Sequence, residues 1–598
     1  MGKISKPKLV FFQGKPNRHL ANFIKLHRLQ HVKCLSEFFE VILIQENCDY
    51  QQICDKYQPE LTLFENPGNF PNVQKIEIKN THAYSEIPKL GFYNEDAWCS
   101  SRKDFISDME CWGIETFFSI CTTIAEYIPE IRDNLFVWPN FIDAEIYKDY
   151  GAVKNIPMLL TGASYELYPW RQKIYKLVSQ YYPSLICPHL GYSKASKFRM
   201  LYGEQYARTI NASWFVPTCG TVAKEVVRKH FEIPASKACL MTEKSPSLEA
   251  AGFVDMENCI FVDESNVIDK IDYLFQNLEK LEGIIDAGYQ LVHSRHTLKQ
   301  RDQVFQWFNL YKNIKSDQKI IQTNPFEKMT VVDKSSGIRS LPIFRDGLNI
   351  NLLHQGDEKL WSDRYEEAEE LYLKCLNYVG VMPEPKFKLA LCNLYKGDAK
   401  TALEWLVPII KPNLENGQVP NPDPVEWAYC IISLLCLGKF DEAIGHANRF
   451  PSLKHPELNR VRWIIDILKN RSNKPSCLHD ELIKTHYSIH KIPERSFNEW
   501  VEQLCIMLNS CQQFDLVEIL IKYVAPDPKS SQSVENISGA TFPLLKSGKL
   551  TKIFSSIAYM LNPYPFRNSL IVKGSRIIFS IRKKLAIKTR LLYLLNRL

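Results

Sequence analysis

Short apolar runs alternate with amphipathic stretches over the first 150 positions of this 598-residue chain. The run at 7–13 (PKLVFFQ), ending at Gly14, reads as a strand, and Leu20, Phe23, Ile24 and Leu29 follow at helical spacing. Phe39–Ile44 and Leu61–Phe64 read as strands flanking a helix over Tyr50–Tyr57, and Asn66-Pro67-Gly68 closes the third strand. Lys75–Ile78, Lys89–Tyr93, Thr116–Ile120 and Leu135–Trp138 extend the series. Strand–helix alternation with short connections predicts a parallel sheet covered on both faces. The pattern restarts after a crossover at Asn140–Val153. Strands are expected at Ile156–Leu160, Ala238–Met241 and Cys259–Val262, with a helix opening at Tyr168–Arg171. Phe215–Gly220 and Thr221 form a second strand-to-helix turn, leading into a helix that carries Lys224, Arg228 and Lys229. Val267 to about Tyr311 is helical, with Ile268, Ile271, Leu274, Leu278 and Leu281 on one face, then Phe305 and Phe308. No G-x-G-x-x-G occurs in the first half, so a dinucleotide fingerprint is absent there.

The pattern changes beyond a polar, irregular linker at 316–350. D-R-Y-E-E-A (363–368), G-D-A-K-T-A (397–402), G-K-F-D-E-A (438–443) and Q-Q-F-D-L-V (512–517) repeat one helix-turn-helix signature. Ala368 and Ala402 stand 34 residues apart, the tetratricopeptide period. The expected layout is a first α/β domain (1–150), a second (151–315), the linker, an all-α tetratricopeptide-like array (351–530) and a tail (531–598). The array offers a concave surface for a protein or peptide partner, or serves only structure or dimerisation.

Charge divides the chain differently. After Glu535 there are twelve Lys/Arg and no acidic residue, although the net charge of the whole is only +7. In the tail, SLIVKGSRIIFSIRKKLAIKTRLLYLLNRL places aliphatic residues between basic clusters, the pattern of an interfacial amphipathic helix. An anionic membrane surface is therefore one expected partner, and docking on the repeats is the alternative. Nucleic acid is not expected, because the interleaved residues are aliphatic rather than aromatic. Seventeen cysteines without a C-x-x-C pair fit neither a disulfide framework nor a zinc knuckle. The early sequence has no signal-peptide core, and no apolar run approaches the ~20 residues of a membrane span. The expected location is cytoplasmic, with peripheral attachment through the tail.

Candidate chemistry gathers where strands should end. Asp96, after the strand at Lys89–Tyr93, and His19, in the turn after the first strand, are candidate acceptor-binding groups or general bases; surface roles are the alternative. Gly162 after the first strand of the second half, with Arg171 and Lys173 on the next helix, can bring backbone amides and cations to a phosphate. Gly220 and Thr221 form a second such turn. Glu232 and Glu249 could face one cleft beyond the strand ends. No D-x-D-type metal site is placed near them.

The run F-E-I-P-A…L-M-T-E…L-E-A-A-G-F-V-D…E-N-C-I-F-V-D, followed by Asp269-Lys270-Ile271 and His296-Thr297…Arg301, resembles the C-terminal half of spore-maturation-type glycosyltransferases. These are relatives of the group 1 family, with the two-Rossmann-domain GT-B fold. The resemblance covers roughly residues 155–310, and 5–150 by pattern alone. It implies sugar transfer from a nucleotide-sugar donor, UDP- or GDP-linked, to a protein or to a glycan or lipid-linked acceptor, with no resident cofactor or metal. The basic groups near Gly162 would hold the donor diphosphate, and Glu232 matches the glutamate that binds the ribose. Where the family keeps another glutamate, separated from that one by seven intervening residues, stands Lys224, with Glu225 beside it, and Lys237 replaces a usual glycine. These departures leave an inactive, transferase-fold scaffold as the rival, and a membrane-docked polysaccharide or glycolipid assembly enzyme as a second.

Overall fold

In the computed structural model, the described residues are 6–66, 72–187, 189, 200–415, 421–470 and 481–524. The tail and its basic clusters lie outside them. Six strands form the first sheet: β1 (Lys8–Phe12), β2 (Glu40–Ile44), β3 (Leu61–Asn66), β4 (Lys89–Tyr93), β5 (Thr116–Ser119) and β6 (Leu135–Val137). They are all parallel, in the order β6-β5-β4-β3-β1-β2. Leu9–Phe11 and Leu63 are fully buried because helices cover both faces, which is why these strands read as continuous apolar runs. The covering helices are α1 (Asn22–Phe38), α2 (Tyr50–Tyr57) and α3 (Arg102–Cys111). Asp49 caps α2 by accepting from the Gln51 and Gln52 N–H groups. The strand expected at Lys75–Ile78 is replaced by two-residue pairings at Val73–Gln74 and Ile78–Lys79, outside the main sheet.

The second sheet holds β7 (Ile156–Thr161), β8 (Ser184–Cys187), β9 (Ser213–Pro217), β10 (Cys239–Thr242) and β11 (Ile260–Phe261). It is parallel throughout, in the order β8-β7-β9-β10-β11. Its helices are α4 (Pro169–Tyr181), α5 (Gly203–Asn211), α6 (Lys229–Ala235), α7 (Pro246–Ala250), α8 (Val267–Gln276) and α9 (Leu278–Arg295). The order of each sheet reverses between its first and third strands, which places a topological switch point at the carboxyl ends. A last helix, α10 (Gln303–Tyr311), returns to the first sheet, where the Phe305 and Phe308 rings meet Phe39 at 5.4 and 5.7 Å.

The helix expected to carry Lys224 and Arg228 does not form. Residues 218–228 are loop and turn, and α6 begins only at Lys229. The expected linker is ordered too. Gln318–Ile321 (β12) pairs antiparallel with Thr330–Asp333 (β13). The Gln322 amide then bonds both the Val137 N–H and its carbonyl, at 2.6 and 2.9 Å.

Helices α11 (Leu348–Leu360), α12 (Tyr365–Tyr378), α13 (Pro383–Tyr395), α14 (Ala399–Glu415), α15 (Pro424–Cys436), α16 (Phe440–Ala447), α17 (Pro456–Asn470), α18 (Phe497–Ser510) and α19 (Phe514–Val524) follow. The four repeated signatures fall on the turns α11–α12, α13–α14, α15–α16 and α18–α19. The first residue of each signature (Asp363, Gly397, Gly438, Gln512) has a positive φ of 59, 82, 70 and 63°. Ala368, Ala402 and Ala443 are fully buried where the paired helices meet. The array is not held apart on a tether. It shares one continuous apolar core with the first sheet, and buried ion pairs fasten α3 to it. Arg102 grips Glu384 through both nitrogens at 2.6 and 3.0 Å, and Lys103 meets Glu426 at 2.9 Å. Among the described residues, no helix is long and apolar enough to cross a membrane.

Candidate functional site

A cavity of about 520 Å³ opens between the two halves, lined by residues that follow β4 in the first sheet and β7 and β9 in the second, with α1 and α6. Its size suits a nucleotide-sized ligand, and its place beyond the carboxyl ends of parallel strands is where such sheets bind ligands.

The second half supplies cations. The chain leaves β7 through Gly162 at φ +95°, where a Cβ would run into Lys229 Nζ and stand 2.9 Å from an Arg171 nitrogen. Only glycine combines that backbone with so close an approach. Pro169 starts α4, so Arg171 on its first turn points back over the strand ends. Its guanidinium lies over the Tyr168 ring at 4.3 Å and donates to the Ala163 carbonyl at 2.6 Å. Thr218 Oγ1 and the Cys219 carbonyl lie 3.4 Å away, and Arg171 Nε has no hydrogen-bond partner among the described residues. Lys229 donates to Thr161 Oγ1 at 3.1 Å. Burial first, and then the Arg171 charge, push the Lys229 ammonium down to about 7. Two cations therefore meet at a glycine turn on neutral oxygens, a site built for an anion.

Glu232, three residues after Lys229 on α6, shares its face and lines the cavity. Burial raises its carboxyl, while Arg228, the Tyr147 hydroxyl and Lys229 act in the other direction. Arg228 crosses to the first half, donating to Gln30 Oε1 at 2.7 Å. On the opposite wall, burial pushes the Asp96 carboxyl up to about 6. The lining also includes His27 of α1, held well below its usual range by burial and by Arg228, and so a neutral imidazole at physiological pH.

Gly162, Arg171, Thr221, Glu232 and Asp96 thus lie on one cavity. Four expected residues lie elsewhere. His19 is exposed, with its N–H bonded to Asn17 Oδ1, because it precedes α1 rather than lying on it. Lys173 follows Arg171 by two positions, which turns it to the outer face of α4, where it pairs with Glu264 at 2.6 Å. Glu249 is exposed on α7 and pairs with Lys244 at 3.1 Å. Gly220 is buried outside the cavity lining, and the backbone of Glu225 packs where its Cβ would stand. Lys229 and His27 are cavity residues that the sequence reading did not single out. The signal for His27 was its i, i+4 spacing with His31, which puts both on the inward face of α1. His296 is structural: it is stacked on Phe231 at 4.4 Å and bonded to Arg301 and the Ala251 carbonyl. Among the described residues, no group of three or more His, Cys, Asp or Glu side chains is placed to hold a metal ion.

Residues 152–306, the second sheet with its returning helices, match the family model described as "Glycosyl transferase-like". No curated protein matches the chain. Among solved structures, a glycosyltransferase from Rickettsia africae ESF-5 aligns at 12% identity over 52% of this chain and all of that one, with a TM-score of 0.35. Sucrose-phosphate synthase from Thermosynechococcus elongatus aligns at 8% identity over 51% of this chain and 98% of that one, TM-score 0.35. The Anabaena protein HepE, solved in complex with UDP-glucose, aligns at 10% over 50% and 98%, TM-score 0.33.

Proposed function

We propose that this protein is a glycosyltransferase of the spore-maturation type, moving a sugar from a UDP- or GDP-linked donor to a protein or to a glycan or lipid-linked acceptor. The observation that carries this reading is the meeting of Arg171 and Lys229 over the Cβ-less turn at Gly162, beside Glu232. In it, the donor diphosphate lies against Arg171 and Lys229, which offset the charge that develops as the bond to sugar C1 breaks and its electron pair leaves with the diphosphate. Glu232 accepts from the ribose hydroxyls. The acceptor oxygen bonds to C1 and its proton passes to Asp96, whose elevated carboxyl suits a base working near neutral pH. The helical hairpins form a tetratricopeptide-like array, and through Val381 they reach the edge of the same cavity, consistent with a role in placing the acceptor.

A specific observation favours the scaffold reading: Lys224, where the family has a glutamate, turns from the cavity to pair with Asp346 at 3.2 Å. Thermal unfolding with UDP, GDP and their sugars separates the two. A ligand at one hundred times its Kd should stabilise the fold by about 2.7 kcal/mol, and Glu232→Ala should lose most of that shift. Nucleotide stabilisation without release of UDP or GDP from any nucleotide sugar identifies a scaffold. No stabilisation by any nucleotide removes the transferase reading.

A further inference from the structure

Glu225 belongs to the second half but is bound by the first. It is 2% exposed in the loop between β9 and α6. Thr123 Oγ1 donates to its Oε1 at 2.9 Å, and the Ala97 N–H and the Cys121 thiol also bond its carboxyl. The next residue continues the seam: the Val226 N–H lies 3.4 Å from Thr122 Oγ1, and its carbonyl accepts from Asn140 Nδ2 at 3.1 Å. The loop bends sharply to present this carboxyl. Thr221 and Lys224 both take the left-handed region, at φ +66 and +52°, which is costly for residues with side chains and most so for a β-branched one.

We propose that Glu225 is a positioning residue for sugar transfer, a carboxyl from the donor half that grips the Asp96–Ala97 segment and holds Asp96 at the cavity. The proposal rests on the transferase reading above. The groups facing Glu225 are Asp96 and Cys99 after β4, Cys121 after β5 and the Tyr127 hydroxyl. Burial and then the Asp96 charge push the Glu225 carboxyl up to about 8, against the Thr123, Cys121 and Ala97 donors. Ionising it there places a second negative charge beside Asp96 in a water-poor seam, and the two carboxylates repel. Turnover then rises and falls with the two ionisations of the Asp96–Glu225 pair, near pH 6 and pH 8.

The test uses the full chain and follows release of the nucleoside diphosphate from the nucleotide sugar, with water as acceptor if none is known. Glu225→Gln keeps a neutral oxygen for Thr123, so it should retain turnover at pH 7 and lose the alkaline limb. Glu225→Ala should lower kcat roughly tenfold to a hundredfold with donor KM unchanged, the expected cost of a misplaced reacting group. A group whose carboxyl is raised in the folded state destabilises it increasingly above its unfolded value. The melting temperature of Glu225→Gln should therefore pull ahead of wild type between about pH 5 and 9. An alkaline limb unchanged in Glu225→Gln, wild-type kcat in Glu225→Ala, or a melting gap independent of pH each overturns the proposal. If wild type is stabilised by no nucleotide, the transferase reading fails, and the melting gap still decides whether Glu225 is a neutral clamp.

Discussion

At the residue scale, Lys229 is the group whose state the donor should change most. Alone in the cavity it loses its proton near pH 7; beside a diphosphate it would be held protonated. Binding above that pH therefore takes up a proton, and affinity should fall as pH rises from about 7 to 9, by at most about tenfold per unit. Calorimetric titration of the nucleoside diphosphate checks this, and Lys229→Met should bind more weakly with a flattened pH dependence. An affinity that climbs with pH would contradict the assignment. Arg171, Gly162 and Glu232 were legible because a strand, a glycine and a helix start in succession leave little choice of where they point. Lys173 and His19 were not, because two positions along a helix, or one turn outside it, reverse the direction of a side chain. Lys237 sits at φ +57°, a conformation that glycine takes more readily, at the position where the resembled family usually has one.

At the element scale, α3 is the instructive omission. Its sequence, RKDFISDMEC, has no clean apolar stripe and reads as solvated, yet Arg102 is fully buried and Lys103 and Asp108 nearly so. Their partners, Glu384 and Glu426 for the first two, are about 280 and 320 residues away in sequence, and no local pattern announces them. The turns of the helical hairpins, by contrast, were legible, since all four take a positive φ and three of the helix pairs meet on a buried alanine. The docking of the hairpins on the first sheet was not. Removing one partner of a buried pair leaves the other charge stranded, so Glu384→Ala should destabilise the fold by roughly 3–5 kcal/mol. Denaturant unfolding measures it, with the array and the first sheet melting in one transition. Separate transitions in wild type would show that the shared core does not couple them.

At the scale of the molecule, apolar periodicity made the two parallel sheets legible, and strand order then dictates a cavity where the carboxyl ends meet. What periodicity could not show is loop 218–228, whose turns depend on distant contacts: Glu225 and Arg228 with the first half, Lys224 with Asp346 in the segment that follows the second. It is the segment where an expected helix gave way to a clamp. The most direct test of the central claim is a crystal structure with UDP or GDP bound. The account places the diphosphate against Arg171 and Lys229 at the Gly162 turn, with the ribose on Glu232. A nucleotide seated elsewhere on the chain, or one whose phosphates avoid both cations, would contradict it.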